Sequence, residues 1–213
     1  MQDRQKIAEF LYSLSQANER ARAQQFDPEN VADRVVRWLL NNDVLRPAEI
    51  KPVYRSWFAQ FDTDQPRERL WRMLANAIPH KAEEIRHAAA RVYAFAEANV
   101  SIPDAIELCQ QQFDNWSVHD WETLIALECL PIASMTVGHS ARTRFVFASP
   151  DPTRPAIQPL LRSLALEGFE LRYAASATVA FLADKVRIII DANQNASNSI
   201  FSGLDVIDPQ QAA

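Results

Sequence analysis

Residues Arg144 to Asn193 read RFVFASPDPTRPAIQPLLRSLALEGFELRYAASATVAFLADKVRIIIDAN, and the fold of the chain depends on how that stretch is parsed. The apolar run Phe145-Val146-Phe147-Ala148 ends in a loop rich in Pro and Asp. From Pro155 to Leu166 the apolar residues Ile157, Leu160, Leu161, Leu164 and Ala165 then fall at helical spacing. Gly168 follows Glu167 where a glycine closes a helix in the left-handed conformation at little steric cost. Phe169, Leu171 and Tyr173 alternate as a strand does, and a short segment, Ala177 to Ala183, leads on to Val186-Arg187-Ile188-Ile189-Ile190. That β-branched run predicts a further strand, ending at Asp191-Ala192-Asn193. The parse is β-α-β-α-β, a right-handed parallel unit with its ligand edge at the carboxyl ends of the strands.

Upstream the chain changes character. Glycine occurs only at Gly138, Gly168 and Gly203, while Trp38, Trp57, Trp71, Trp116 and Trp121 all precede the first of them. A glycine-free stretch punctuated by aromatics predicts a helical array, because tight β-turns call for glycine. Helices are expected over Arg4 to Gln24, from Asp27-Pro28-Glu29 to Asn41, over Val53 to Phe61, and from Asp64-Gln65-Pro66 to Pro79. Others are expected over Lys81 to Asn99, through Ile106, Cys109 and Phe113, and after a capping Ser117. The fold class is therefore α+β: an all-helical domain over residues 1–130, then a small Rossmann-like α/β unit over residues 131–213 with a mostly parallel sheet.

Composition narrows the function classes. A chain of 213 residues that is 48% hydrophobic and 23% charged can bury a real core. Its formal net charge of -5 argues against nucleic acid as a partner, since that affinity rests on excess Lys and Arg neutralising phosphates. Arg67, Arg69 and Arg72 are accordingly read as a solvated helix face. Cys109 and Cys129 sit in apolar helical patterns, as buried reduced thiols of a cytoplasmic protein do. No apolar run approaches the roughly 20 residues that span a bilayer, so no membrane partner is expected.

Motif chemistry is sparse. No glycine-rich dinucleotide or phosphate loop and no nucleophile elbow occurs, so no cofactor is expected and the catalytic residues stay open. His80, Glu84 and His87 share a helical face, but a di-iron bundle needs a second Glu-x-x-His and two further carboxylates. The reading is a charged solvent face and no metal. Polar residues gather instead where strands should end: Ser149, Asp151, Thr153 and Arg154, then Ser176, then Asp191 and Asn193. Gln158 lies in the helix that follows Arg154. Loops meeting along one rim would form an anion or sugar pocket, with the start of the Pro155 helix seating a phosphate and Arg154 adding a bidentate contact. The alternative is that Asp151 and Thr153 merely cap that helix while Arg154 points to solvent.

The same stretch resembles the Rossmann-like core of the family of methylthioribose-1-phosphate isomerases and translation initiation factor two-B regulatory subunits. Thr153-Arg154-Pro155 with Gln158, Gly168-Phe169, Ser176-Ala177 and the Ile188 to Ile190 run with Ala192 carry the likeness, as does Met135-Thr136-Val137-Gly138-His139-Ser140. A helical domain precedes the core in that family too. The resemblance implies a sugar-phosphate ligand. It also implies an acid/base Asp where this chain has Ala175, a second Asp where it has Asn193, and a cysteine that the core here lacks. Without those groups no proton moves between adjacent carbons. The expectation is a noncatalytic regulatory or interaction protein that binds a phosphorylated small molecule or a protein partner, with the helical domain as an interaction surface. Two alternatives stay open: an isomerase-like enzyme using Asp151, Asp184 or Asp191, and a helical scaffold or homodimer that associates through its helical domain or an uncovered sheet edge.

Overall fold

The computed structural model describes residues 12, 26–28, 31–60, 68–137, 142–164 and 166–202. Apart from Tyr12, the helix expected over Arg4 to Gln24 lies outside them, as do the Asp64-Gln65-Pro66 helix start and Arg67. The protein is a mixed α+β chain with eight α-helices and one three-stranded sheet among the described residues. It divides into two compact units, residues 1–92 and 93–213.

The first unit is helical. Its described α-helices are α1 (Arg34–Asn41), α2 (Pro47–Ala59), α3 (Leu70–Ala77) and α4 (Ala82–Val92). α1 starts later than Asp27-Pro28 suggests, because Asp33 is its cap: Oδ1 accepts from the amides of Val35 (2.9 Å) and Val36 (3.3 Å). The other oxygen accepts from Trp71 N–H at 3.3 Å, tying the start of α1 to α3. α2 runs through Pro52 rather than stopping at it, although the missing N–H leaves one helical bond unmade. α4 packs on α1 and α3, and α3 on α2, burying Val35, Leu39, Ile50, Leu70, Trp71, Leu74 and Ile85.

α4 stops well short of Asn99. Ala94 takes a φ of 59°, a left-handed turn that ends the helical path. The chain beyond is extended: Tyr173 N–H donates to Ala96 O (2.9 Å) and Ala98 N–H to Tyr173 O (2.7 Å). An alanine-rich stretch with high helix propensity thus yields to pairing with a sheet edge.

The second unit holds α5 (Ile102–Gln112), α6 (Val118–Ala126), β1 (Leu130–Val137), β2 (Arg142–Ser149), α7 (Ile157–Ser163), β3 (Phe169–Tyr173) and α8 (Ser176–Ser202). α5 and α6, expected with the helical domain of residues 1–130, belong to this unit. Ser117 caps α6 as expected, its Oγ accepting from Asp120 N–H at 3.2 Å while Asp120 Oδ2 accepts from Ser117 N–H at 3.0 Å.

The sheet is mixed, not mostly parallel. β1 and β2 form an antiparallel pair, Leu130 opposite Ala148 and Met135 opposite Arg144, with a bulge between Pro131 and Ala133. β2 and β3 run parallel, Phe145 opposite Phe169 and Ser149 opposite Tyr173, so β2-α7-β3 is the one parallel β-α-β step of the described sheet. Every residue of β2 from Phe145 to Ser149 is buried, as a central strand covered on both faces must be. Gly168 is not a left-handed cap. It precedes β3 and offers its carbonyl to Phe145 N–H at 3.0 Å.

The strand expected at Val186 to Ile190 is helix. The apolar residues of α8 that reach the core are Val179, Leu182, Ala183, Val186 and Ile190, a spacing of three and four that belongs to a helix. The three consecutive isoleucines differ accordingly: Ile188 is 61% exposed, Ile189 half-buried and Ile190 only 5% exposed. A strand would set Ile188 and Ile190 on one face. β-branching lowers helix propensity only slightly, and burial of the opposite stripe outweighs it.

Candidate functional site

The carboxyl ends of β2 and β3 do come together, as the parallel step requires. Ser149 O accepts from Ala174 N–H at 3.1 Å, and α8 begins two residues later at Ser176. Because β1 is antiparallel, its amino end lies on the same rim, which brings in Glu128 and Cys129.

The polar groups of the loop after β2 turn inward on one another. Asp151, 5% exposed, donates its N–H to Ser149 Oγ (3.2 Å) and accepts at Oδ1 from Thr153 N–H (3.1 Å) and Thr153 Oγ (2.6 Å). Arg154 N–H closes a turn onto Asp151 O at 3.1 Å, and Ile157 N–H bonds Arg154 O at 3.1 Å. Buried polar groups must be satisfied, and these satisfy each other. Arg154 does not point freely to solvent: its Nη2 donates to Glu128 Oε2 at 3.1 Å. Glu128 itself has a φ of 51° at the turn that delivers the chain from α6 to β1. What the sequence suggests as a phosphate seat is, in its described contacts, a self-bonded Asx turn and an ion pair. α7, only seven residues long and preceded by tight turns, adds little dipole to the rim.

The remaining candidates scatter. Gln158 is exposed on α7, and Ser176 opens α8 at the rim. Asn193 lies on the same helix, and 17 residues of α-helix rise about 25 Å. Ser176 and Asn193 therefore cannot touch one small ligand. Asn193 is exposed, with its side-chain amide donating to Ile189 O at 3.0 Å. Asp191 is exposed beside a different concavity of about 330 Å³, which it lines with Glu122, Ile125 and Ala126 of α6 and with Arg187 and Ile190. Asp184 pairs with Arg187 at 2.7 Å, both largely exposed. Asp151, Asp184 and Asp191 thus occupy three different settings.

Burial pushes the thiols of Cys109 and Cys129 up to about 12, so both are protonated at neutral pH and neither is a poised nucleophile. Cys109 Sγ rests 3.9 Å from Pro131 O, packing α5 onto β1. His80 lies in a 3-10 turn ahead of α4 rather than on it. Among the described residues no group of three or more His, Cys, Asp or Glu side chains is placed to hold a metal ion. None of the described helices is long and apolar enough to cross a membrane.

Two polar clusters carry no sequence motif. On the sheet, Glu170 Oε1 accepts from Arg172 Nε at 2.8 Å, and Glu170 Oε2 lies 3.8 Å from Arg144. The Arg172 hydrogen bond first, then the charges of Arg172 and Arg144, hold the Glu170 carboxyl below the usual carboxylate range. In the first unit, Arg34, Arg37, Trp38 and Asn41 share one face of α1, and only their i, i+3, i+4, i+7 spacing signals it. Compared with protein-family models, with curated proteins and with solved structures, the chain matches none.

Proposed function

We propose that this chain is a noncatalytic interaction protein that associates with a second copy of itself through the outer edge of β1. The observation that carries the reading is the state of that edge. β2 takes up one side of β1, and among the described residues no strand lies along the other. Ala133, Ser134 and Met135 are all exposed in succession, Met135 at 39%, so this part of the strand stands clear of the core on both faces. An uncharged edge of this kind templates pairing unless something blocks it. The block here is at the other end, where Pro131 lacks an N–H and α5 packs.

The favoured occupant is a second β1. The strand LPIASMTV has no charged residue, so two copies running antiparallel bring no like charges into register. Centred on Ser134, the pairing sets Ala133 against Met135 of the other copy and Ser134 against Ser134, an isologous arrangement. The loop at Ser149 to Arg154 turns its described contacts inward, Asp151 Oδ1 onto Thr153 and Ser149 Oγ onto the Asp151 amide, which favours a structural over a catalytic role for it.

Sedimentation velocity over a range of loading concentrations tests this. The native chain is expected to move from monomer to dimer as concentration rises. Met135→Lys, a change at an exposed position that places charge on the edge, is expected to stay monomeric with an unaltered thermal melt. A native chain that sediments as a monomer at every concentration, or a Met135→Lys chain that still dimerises, would end the proposal.

A further inference from the structure

The second inference concerns the first unit and stands apart from self-association. Arg34, Arg37, Trp38 and Asn41 of α1 line a concavity of about 530 Å³ with Arg91 and Val92 at the end of α4. That volume lies within the roughly 300–1,000 Å³ common for small-molecule sites. Three arginines line one hollow, and among the described residues none has a carboxylate partner. Arg55 and Arg162 also lack a carboxylate partner among the described residues, whereas Arg34, Arg37 and Arg91 lack one and line a single concavity together. Arg86, Arg144, Arg154, Arg172 and Arg187 each sit within 4.0 Å of a Glu or Asp. The chain as a whole has 27 acidic side chains to 22 basic ones, yet among the described residues no acid is matched to these three.

The nearest carboxylate in sequence, Asp33, is engaged by the amides of Val35, Val36 and Trp71. Arg91 has its Cζ 5.7 Å from the centroid of the Trp38 ring, a cation-π contact that holds the guanidinium near the hollow without neutralising it. Three like charges on two packed helices repel one another, and a multivalent anion would remove that repulsion.

We propose that this hollow binds a small diphosphate-bearing anion. The guanidiniums of Arg34, Arg37 and Arg91 would take its oxygens, and the Asn41 amide would add a neutral contact. Arginine forks match phosphate oxygens in pairs, and two linked phosphates supply enough of them for three forks. A long nucleic acid is disfavoured because the net charge of -5 repels an extended polyanion beyond the pocket.

The test is calorimetric titration of the full chain with inorganic pyrophosphate, inorganic phosphate and a short DNA duplex at low and raised salt. Pyrophosphate is expected to bind one to one, more tightly than phosphate and less tightly as salt rises. The double variant Arg34→Gln/Arg37→Gln, changed at two exposed positions, should keep the native thermal melt and lose at least about tenfold in affinity. Arg91→Lys keeps the charge but loses the guanidinium fork, and should also bind more weakly. Absence of saturable pyrophosphate binding would overturn the proposal, as would affinity undiminished in both variants. So would a duplex that binds through these arginines while pyrophosphate does not.

Discussion

Ile190→Lys is expected to destabilise the second unit by several kcal/mol, whereas the same change two residues earlier, Ile188→Lys, leaves it nearly unchanged. Ile190 is 5% exposed and packs in the core with Val179, Leu182, Ala183 and Val186, while Ile188 is 61% exposed on the outer face of α8. The apolar cluster itself offers an ammonium at Ile190 no carboxylate, and Glu122 and Asp191, which line the concavity that Ile190 borders, are reached only if the lysine swings out of the core. Burying it unpaired costs several kcal/mol, against a total stability of roughly 5–15 kcal/mol. At Ile188 the lysine reaches water, and a surface change of this kind stays within about 0.5 kcal/mol. Denaturation midpoints of the two variants measure the difference. Equal damage from both would mean that the two isoleucines share a face, as they do in a strand.

The second large effect is expected at Phe147. Its ring is fully buried at the centre of β2, 6.1 Å from Trp116 and 6.4 Å from Phe145 by ring centroids, and Trp116 in turn lies 4.8 Å from Trp121. This aromatic cluster joins the turn between α5 and α6 to the sheet. Phe147→Ala removes the ring at the point where both sheet faces are covered, so the walls have little freedom to collapse. A loss of about 3–5 kcal/mol follows, from transfer and cavity terms together. It is read as a fall in the denaturation midpoint with the slope unchanged. Phe147→Leu, which keeps most of the volume, should cost far less.

Much of the α/β unit is legible from local chemistry. The Ser117 box, the apolar run at Phe145 and the helix between Ile157 and Ser163 each follow from residues that interact within a few positions, and the parallel β2-α7-β3 step follows from them. What is not legible depends on partners distant in sequence. The isoleucine run fits a strand by residue type and a helix by spacing, and the core that decides between them is built by α5, β1 and β2. Residues 96–98 have the composition of a helix and take the conformation of an edge because β3 offers them hydrogen bonds. The direction of β1 follows from its hairpin pairing with β2, which no motif announces.

The same division runs through the candidate site. Ser149, Asp151, Thr153 and Arg154 lie within six residues of one another and do meet, but in bonds that stabilise their own loop. Asp191 and Asn193 were joined to them only through a strand that is in fact helix, and they lie elsewhere on α8. The likeness to the sugar-phosphate isomerase family loses its last matched strand by the same step. The arginines of α1 and α4 come together across a helix pair, and no local pattern in the sequence links Arg91 to Arg34.

The core of the second unit is closed by residues 176–202 as one helix. Backbone chemical shifts of the isotope-labelled chain measure this directly. Cα shifts from Val186 to Ile190 should lie uniformly downfield of random coil, with sequential amide contacts continuing from Val179. Upfield Cα shifts over the three isoleucines, with cross-strand contacts from them to β2 or β3, would contradict it.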